Sequence, residues 1–225
     1  KYEANTVPDS GIVESAAPVT LIGGGAGTAA DVALAAALAP VCVAADGGAA
    51  LALTAGVLPD AVIGDFDSLP DEIRAQIPDN RLHHITEQSS TDFDKALRSI
   101  AAPLVIAVGF TGERLDHQLA AFHVLAARSA RPCIMLGATE VIFHCPAQVA
   151  LPVVAGDVVS LFPMQKVSGR SIGLQWPIDG LEFHPMHLIG TSNRATGPVR
   201  LWMDGPGMLC IAPRRILAEL VQALV

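Results

Sequence analysis

The segment AVIGDFDSL, residues 61–69, joins a short run of apolar residues to a loop that carries Asp65 and Asp67. The run is typical of a strand that is buried on both faces of a parallel sheet. In an extended loop the two aspartates would point to the same side. Two nearby carboxylates repel each other, and a divalent cation relieves the repulsion. The segment therefore predicts a metal site at the carboxyl end of a parallel strand, with a capped turn as the alternative.

Similar apolar runs lie on both sides of this segment and alternate with helical patterns. The runs are VTLIG (19–23), VCVAA (41–45), LVIAVG (104–109) and CIML (133–136), and the helical patterns cover about 28–38, 91–100 and 115–128. Strands separated by helices are typical of a parallel sheet covered on both faces, whose ligands bind at the carboxyl ends of the strands. Residues 19–138 are therefore predicted to form a Rossmann-like α/β domain. We interpret the polar residues 1–18 as a loose tail or a tag remnant.

The chain changes character after residue 138. Proline and glycine become frequent, and short strand-like runs such as SIGLQWPI (171–178) and GMLCIA (207–212) replace the helical pattern. The turn DGPG (204–207) suits a hairpin between antiparallel strands. Residues 139–225 are therefore predicted to form a smaller, antiparallel β-sandwich domain that ends in a helix.

Composition limits the partners of the chain. Its net charge is −8, and a nucleic-acid partner would need a basic face, so no nucleic acid is expected. An acidic protein still binds a polyphosphate when divalent cations lie between the two sets of charge. No apolar run reaches the ~20 residues that span a bilayer, so no membrane association is expected. The cysteines lack metal-ligand spacing and are interpreted as buried core residues in a reducing compartment, the cytoplasm; they are Cys42, Cys133, Cys145 and Cys210.

A second acidic cluster opens a helix at EQSSTDFDKAL, residues 87–97. Thr91 suits the N-cap position, which puts Asp92 in the first turn, where the helix dipole favours an anion. Lys95 follows three residues later on the same face of the helix. Ordinary helix capping is the alternative interpretation of this segment.

A third cluster follows the strand-like run at 104–109 through two glycines and opens the next helix. It contains Arg114, Asp116 and His117. A guanidinium group can donate two hydrogen bonds to phosphate oxygens, and a carboxylate can bind metal or accept a proton. Carboxylates and an arginine at one edge of a sheet suit a metal–polyphosphate ligand.

A glycine-rich turn supports a different interpretation, a nicotinamide dinucleotide site. Gly25, Gly27 and Ala30 fit the pattern GxGxxA directly after the first strand, and Asp46 ends the second strand. This layout is typical of a fold that binds pyrophosphate at a helix N-terminus and a ribose at the acidic residue. An NAD-dependent oxidoreductase is therefore the alternative function, although it leaves the GDFDS segment without a role.

Taken in order, the acidic segments resemble the motifs of thiamine diphosphokinases, also called thiamin pyrophosphokinases. The segments are ADGGA (45–49), PDAVIGDFDSL (59–69), EQSSTDFDKAL (87–97) and TGERLDH (111–117). GTSN (190–193), with Trp176 upstream, resembles the thiamine-site signature of the same family. The likeness runs from about Val19 to Ala212. One departure is Ser89, since an acid commonly follows the glutamine of the third motif.

The resemblance implies an enzyme that transfers diphosphate from ATP to thiamine, releases AMP and requires Mg²⁺. It also implies a homodimer with active sites at the subunit interface. The implied metal ligands are Asp65, Asp67 and Asp92, and these act in catalysis together with Arg114 and Asp116. The implied nucleotide-binding residues are Asp46, Gly47, Gly48, Gln88, Lys95, Arg114 and His117. The implied thiamine-binding residues are Trp176, Ser192 and Asn193.

The thiamine side rests on a strand-like segment at 171–178. Alternation along that strand puts Ile172, Leu174 and Trp176 on one face, where the indole would be a core residue by pattern alone. The resemblance instead implies an indole that stacks on flat, cationic thiamine. A tight GTSN loop would then let Ser192 and Asn193 bond the pyrimidine edge.

For the reaction, we expect the thiamine hydroxyl to attack the β-phosphorus of ATP while AMP leaves in line. Positioning and charge neutralisation dominate such transfers. Arg114 would stabilise charge on the transferred group, and Asp116 is a candidate for orienting or deprotonating the hydroxyl. Two other classes stay open: a phosphatase with Asp65 as nucleophile, and a non-catalytic module that binds nucleotide or thiamine without turnover.

Overall fold

The structure is a computed structural model that describes residues 11–112 and 114–225. The chain divides into two compact units, of which the first ends at Ala121 and the second begins at Phe122. Helices and strands occur in both units, so the predicted mixed α/β class is confirmed. The predicted domain boundary between residues 138 and 139 lies further along the chain than this division and stays a prediction.

The first unit contains short strands that alternate with helices. Its strands are β1 Val13–Glu14, β2 Val19–Ile22, β3 Val41–Ala45, β4 Ala61–Gly64, β5 Leu82–His84, β6 Ile100–Ala101 and β7 Val105–Val108. Its helices are α1 Ala29–Leu38, α2 Gly48–Thr54, α3 Asp71–Arg74, α4 Asp92–Arg98 and α5 Leu115–Ala127, the last of which crosses the division between the units. β2 pairs with β7, β3 with β4, and β4 with β5, each in parallel.

These strands form because their sequences are continuous apolar runs. Every residue of β2, β4 and β7 is buried, as expected for strands covered on both faces. Side-chain caps fix where the helices begin. Thr28 caps α1 in a reciprocal capping box with Asp31, and the Thr91 hydroxyl accepts a hydrogen bond from Asp94 N at the start of α4. The Thr91 N-cap is confirmed.

The predicted tail covers residues 1–18, of which residues 1–10 lie outside the described residues. Residues 11–18 belong to the fold rather than to a loose tail. β1 pairs in parallel with β6, and Ile12 N and Val13 N both donate to Ser99 O at 3.0 Å. This segment takes up backbone groups that β6 would otherwise leave unpaired.

The second unit is formed mainly by antiparallel strands. They are β8 Cys133–Leu136, β9 Glu140–His144, β10 Gln148–Leu151, β11 Val158–Pro163, β12 Val167–Leu174, β13 Glu182–Phe183, β14 Gly190–Met203 and β15 Met208–Pro213, followed by the helix α6 Leu217–Leu224. The long strand β14 pairs with β10, β11 and β12, and β15 pairs with β9 and β11. All of these pairs are antiparallel, and their arrangement as a sandwich stays a prediction.

The predicted common face of Ile172, Leu174 and Trp176 is wrong. Ile172 is 61% exposed, whereas Leu174 is 6% exposed. Gly173 between them has a φ of 85°, and the register with β14 shifts at this point, so the alternation of side chains breaks. β12 ends at Leu174, and Trp176 lies beyond it with 55% of its surface exposed. Trp176 is therefore not a core residue.

The predicted tight GTSN loop is also wrong, because these residues begin the strand β14. The pairing of β14 with β11 shifts register between Val159 and Leu161. Ser192 has a φ of 62°, which turns the chain within the strand. The result is a β-bulge that leaves Thr191 and Ser192 exposed in succession and turns Asn193 into the interior.

The prediction that the cysteines are buried core residues is confirmed. All of them are free and buried; they are Cys42, Cys133, Cys145 and Cys210. None of the helices in the described part of the chain has the length and apolar character needed to cross a membrane.

We expect Gly48→Ala to destabilise the first unit. A β-carbon at Gly48 would lie 2.1 Å from Ile22 O, a backbone atom of the buried strand β2 that cannot move aside. The free energy of unfolding in urea should fall by more than about 2 kcal/mol. Gly205→Ala is the control, because the same methyl group there meets no atom within 4 Å. Equal stability of both variants would contradict this close approach of α2 to β2.

Candidate active site

A cavity of about 530 Å³ opens in the first unit where β2, β3, β4 and β7 reach their carboxyl ends. Most of the predicted site residues of this unit line it; they are Asp46, Gly47, Asp65, Asp67, Gln88, Asp92, Lys95, Arg114 and His117. Gly48 and Asp116 are not among the lining residues. Gly48 instead lies against the backbone of β2, so packing accounts for the glycine at that position.

Three carboxylates meet in this cavity. Asp46, Asp65 and Asp67 each offer an oxygen, and these oxygens all lie within 4.8 Å of one another. Oxygen ligands of this kind suit a hard divalent cation. The predicted ligands were Asp65, Asp67 and Asp92, whereas this group contains Asp46 in place of Asp92. One oxygen of Asp92 accepts a hydrogen bond from Lys95.

Asp65 and Asp67 come together for a different reason from the one expected. Phe66 between them has a φ of 65°, so the loop turns sharply and is not extended. Asp67 N donates to Asp65 Oδ1 at 3.3 Å, which closes the turn. The Phe66 ring stacks on His84 with ring centroids 5.3 Å apart, and this contact supports the unusual backbone.

Asp46 is the most buried carboxylate of the group. It follows β3 with a φ of 44°, and its Oδ2 accepts a hydrogen bond from Ser68 N at 3.3 Å. Its Oδ1 is buried without a hydrogen-bond partner among the described residues. Burial and the neighbouring charge of Asp92 raise the pKa of Asp46 to about 7. A cation would satisfy the orphan oxygen and remove the cost of its negative charge.

Lys95 places a buried positive charge among these carboxylates. Its side chain is 2% exposed, and its Nζ lies 2.7 Å from Asp65 Oδ2 and 3.1 Å from Asp92 Oδ1. Burial alone would lower the pKa of Lys95, but the hydrogen bonds to the two carboxylates raise it. The same ammonium group lowers the pKa of Asp65. The sequence predicted the pairing with Asp92 but not the pairing with Asp65, which comes from a distant loop.

Gln88 contacts the same carboxylate, because its Nε2 donates to Asp65 Oδ2 at 3.0 Å. The preceding residue fixes the loop that carries Gln88. Glu87 accepts hydrogen bonds from the hydroxyls of Ser89 and Ser90 and from Arg98 Nη2, the last at 2.8 Å. Burial would raise the pKa of Glu87, yet these donors lower it to about 2.

The network around Glu87 was not predicted from the sequence. The sequence signal for this network was Arg98, a charged residue among the apolar residues of the predicted helix. Arg98 is buried on α4 and extends to Glu87, with Asp94 at 4.0 Å from its Nη1. Ser89, which stands where an acid is common in the family that the motifs resemble, is therefore used to hold Glu87.

Arg114 and Asp116 form a pair at the start of α5. Arg114 Nη2 and Nε donate to the two oxygens of Asp116 at 2.7 and 3.2 Å, and both side chains are exposed. The hydrogen bonds raise the pKa of Arg114 and lower that of Asp116. Asp116 is therefore a poor proton acceptor in this arrangement, although it can orient the guanidinium group.

The glycine-rich turn does not leave the N-terminus of α1 free for a pyrophosphate. Gly25 N donates to Gly109 O at 2.8 Å and Ala26 N to Thr111 O at 3.2 Å. At the helix itself, Asp31 accepts from Thr28 N at 2.9 Å, so a carboxylate of the chain already lies at the N-terminus of the helix. These contacts weigh against the dinucleotide interpretation.

The residues that the resemblance implies for thiamine lie in the second unit. Trp176 has an exposed indole, and Ser192 is exposed at the bulge of β14. Asn193 is buried, and its side chain bonds the backbone of Trp176 on both sides, with Nδ2 to Trp176 O at 2.7 Å. Asn193 therefore contacts the indole-bearing residue rather than an open surface.

We expect Lys95→Met to couple stability to divalent cations. The variant keeps a long side chain but leaves the neighbouring carboxylates without their internal counter-ion, and breaking a buried ion pair typically costs about 3–5 kcal/mol. The melting temperature in EDTA should therefore fall, and added Mg²⁺ should raise it by more than in the unchanged protein.

The control for this prediction is Lys166→Met, which removes an exposed ion pair with Glu182 and should change neither melting temperature. A lower melting temperature of Lys95→Met in EDTA, without a larger rise on addition of Mg²⁺, would contradict the expectation that the cation takes over the role of the ammonium group as counter-ion.

Comparisons with known proteins agree with the geometry. Residues 33–136 match the family model described as thiamin pyrophosphokinase, catalytic domain. A comparison with curated protein sequences gave no match. Among solved structures, the thiamin pyrophosphokinase of Geobacillus thermodenitrificans superposes with a TM-score of 0.71 at 23% identity, over 87% of this chain and 96% of that chain. The Candida albicans enzyme gives a TM-score of 0.73 at 15% identity, over 92% and 97% of the two chains.

Thiamin pyrophosphokinase from yeast is similar to the same extent, with a TM-score of 0.70 at 16% identity over 94% of this chain and 91% of that chain. At such identities the likeness establishes a shared fold. The family-model match covers the acidic cluster and Lys95, which are the chemical part of the cavity. Residues 33–136 of this chain are therefore similar to the catalytic domain of thiamin pyrophosphokinases.

Proposed function

We propose that this chain transfers a diphosphate group from ATP to the hydroxyl of thiamine, which gives thiamine diphosphate and AMP. One observation carries the proposal: the carboxylate cluster lies at the carboxyl ends of parallel strands, within the segment that matches the catalytic domain of the family. The match of residues 33–136 to the catalytic domain of the family favours this activity over an NAD-dependent oxidoreductase, and so does the Asp31 carboxylate at the N-terminus of α1. A non-catalytic binding module would leave the carboxylate cluster without a reaction to serve.

Mg²⁺ fits the residues of the site. The donors are carboxylate oxygens, and the buried Oδ1 of Asp46, which has no partner among the described residues, supports a cation at this position. Asp46, Asp65 and Asp67 would hold the ion, with Asp92 as a further ligand if it exchanges away from Lys95. When bound, the ion would neutralise charge on the polyphosphate and favour its transfer.

The residues of the chain position the nucleotide. The cavity is lined by the glycine turns after β2 and β7, whose lack of side chains lets a ligand approach the backbone. Gln88 and Lys95 hold Asp65 in place, and Arg114 donates to phosphate oxygens from the rim. These groups act by positioning and by charge neutralisation, as expected for phosphoryl-type transfer.

In the transfer itself, the oxygen of the thiamine hydroxyl bonds the β-phosphorus as the bond from that phosphorus to the bridging oxygen breaks. The bridging oxygen leaves with AMP, and the hydroxyl proton is released to solvent. Arg114 stabilises the charge of the transferred group. We assign Asp116 the role of orienting Arg114, because its lowered pKa makes it a poor base. His117 lines the same cavity and belongs with the nucleotide-binding residues.

For the thiamine side, we propose a C-terminal β-sandwich domain in which Trp176 stacks on the substrate. Its indole is exposed, as a binding residue must be, and a flat cation suits an aromatic face. Ser192 is exposed at the bulge of β14 and is a candidate for a hydrogen bond to thiamine. We expect a cytoplasmic homodimer with active sites at the interface, in which each subunit contributes one of these two halves.

We expect incubation with ATP, Mg²⁺ and thiamine to yield AMP and thiamine diphosphate in equal amounts, without ADP. Diphosphate moves as one unit in the proposed reaction, so chromatography of both product pairs measures it directly. Omission of thiamine is the control and should abolish AMP release. Accumulation of ADP with thiamine monophosphate would contradict the transfer of an intact diphosphate group.

We expect Asp67→Asn to reduce turnover by more than ~100-fold, because it removes a charge from the carboxylate cluster at nearly constant volume. We choose Asp67 over Asp65 because its side chain bonds Ser68, so the substitution does not break the buried ion pair with Lys95. The melting temperature in EDTA should therefore stay close to that of the unchanged protein.

Asp71→Asn is the matched control, because Asp71 is an exposed residue at the start of α3 and should tolerate the change. Near-normal turnover in Asp67→Asn would contradict a metal site at the GDFDS segment and favour the alternative interpretation, a capped turn.

A further inference from the structure

We propose that Asn193 is a positioning residue that holds the backbone of Trp176, and that it does not bind thiamine through its side chain. The proposal rests on the proposed function of Trp176 in thiamine binding. It assigns Asn193 a role different from the hydrogen bond to the pyrimidine edge that the sequence suggested.

The first observation is that the Asn193 amide is already used within the protein. Its Oδ1 accepts hydrogen bonds from Trp176 N at 3.2 Å and from Arg194 N at 2.8 Å. Its Nδ2 donates to Trp176 O at 2.7 Å. Both lone pairs of the carbonyl oxygen are therefore occupied, and one N–H remains on a residue that is 7% exposed. An aminopyrimidine needs an acceptor for its amino group, and Asn193 has none left to offer.

The second observation is that Trp176 lies beyond the end of its strand. β12 ends at Leu174, and Gln175 N makes the last backbone bond to β14, to Arg194 O at 2.7 Å. The Asn193 amide then takes the place of a paired strand and bonds both the N–H and the C=O of Trp176. The backbone of Trp176 is held while the residue as a whole is 55% exposed. This combination presents an aromatic face without burying it.

The third observation explains how Asn193 reaches this position. The bulge in β14 places Thr191 and Ser192 opposite Ser160, whose hydroxyl accepts from Ser192 N at 2.9 Å. Ser192 adopts a left-handed backbone conformation there. The bulge shifts the alternation by one residue, so that Asn193 points inward toward the 175–177 segment and Ser192 stays exposed.

Only a side chain with a donor and an acceptor in one plane can bond both backbone groups of Trp176. Aspartate has nearly the same shape, but its second oxygen would face Trp176 O at about the distance of the present hydrogen bond, with no proton between them. Alanine removes both bonds. The two substitutions therefore test the amide itself, separately from the volume of the side chain.

The experiment uses the full chain with Trp202→Phe, so that Trp176 is the single tryptophan. We expect Asn193→Ala and Asn193→Asp to lower the fluorescence anisotropy of Trp176 in the protein without substrate, because the freed segment moves. We also expect the KM for thiamine to rise about tenfold, as two lost hydrogen bonds would allow, with little change in kcat or in the KM for ATP. Trp176→Ala should raise the KM for thiamine at least as far.

Val149→Ala is the control for general loss of stability, because it truncates a buried residue of β10 in the same unit. It should lower the melting temperature without changing the anisotropy of Trp176. Unchanged anisotropy in both Asn193 variants, with a raised KM for thiamine, would overturn the proposal and return Asn193 to direct substrate binding. Lowered anisotropy in a protein that does not turn over thiamine would support the positioning role and instead contradict the proposed function.

Discussion

Repulsion among carboxylates is the constraint on which the cavity depends. Asp46, Asp65 and Asp67 converge to within 4.8 Å, and Asp92 lies close enough to influence the pKa of Asp46. The fold tolerates this concentration because the buried ammonium group of Lys95 bonds Asp65 and Asp92. One positive charge does not balance the set, and at Asp46 burial together with the neighbouring charge of Asp92 raises the pKa. The cluster is thus stable enough to form and still favours an additional cation.

Much of the first unit follows from local sequence. Continuous apolar runs give the strands, Thr28 and Thr91 give the starts of α1 and α4, and the acidic loops follow the strands that the pattern predicts. Topology then brings the loops together, because the ends of parallel strands meet at one edge of a sheet. For this reason the composition of the cavity was predictable even though its internal bonds were not.

The parts that sequence could not predict depend on partners far along the chain. The turn at Phe66 is supported by stacking on His84, and the Lys95 bond to Asp65 joins a helix to a distant loop. In the second unit, the faces of Ile172 and Leu174 are set by a shift of register against β14. The sequence of a strand shows that its side chains alternate between the two faces of the sheet. A bulge changes which residues lie on which face, and the position of the bulge depends on the partner strand.

The two units use different chemistry to present their functional groups, and the difference follows from charge. Around the cavity, charged side chains hold one another, which suits a site for a cation and a polyanion. Near Trp176 the holding group is a neutral amide, because it must satisfy an N–H and a C=O at once inside a buried setting. A charged side chain in its place would have only neutral backbone groups as partners there and would cost far more to bury than an amide does. The neutral support holds the backbone of Trp176 while the residue itself stays exposed.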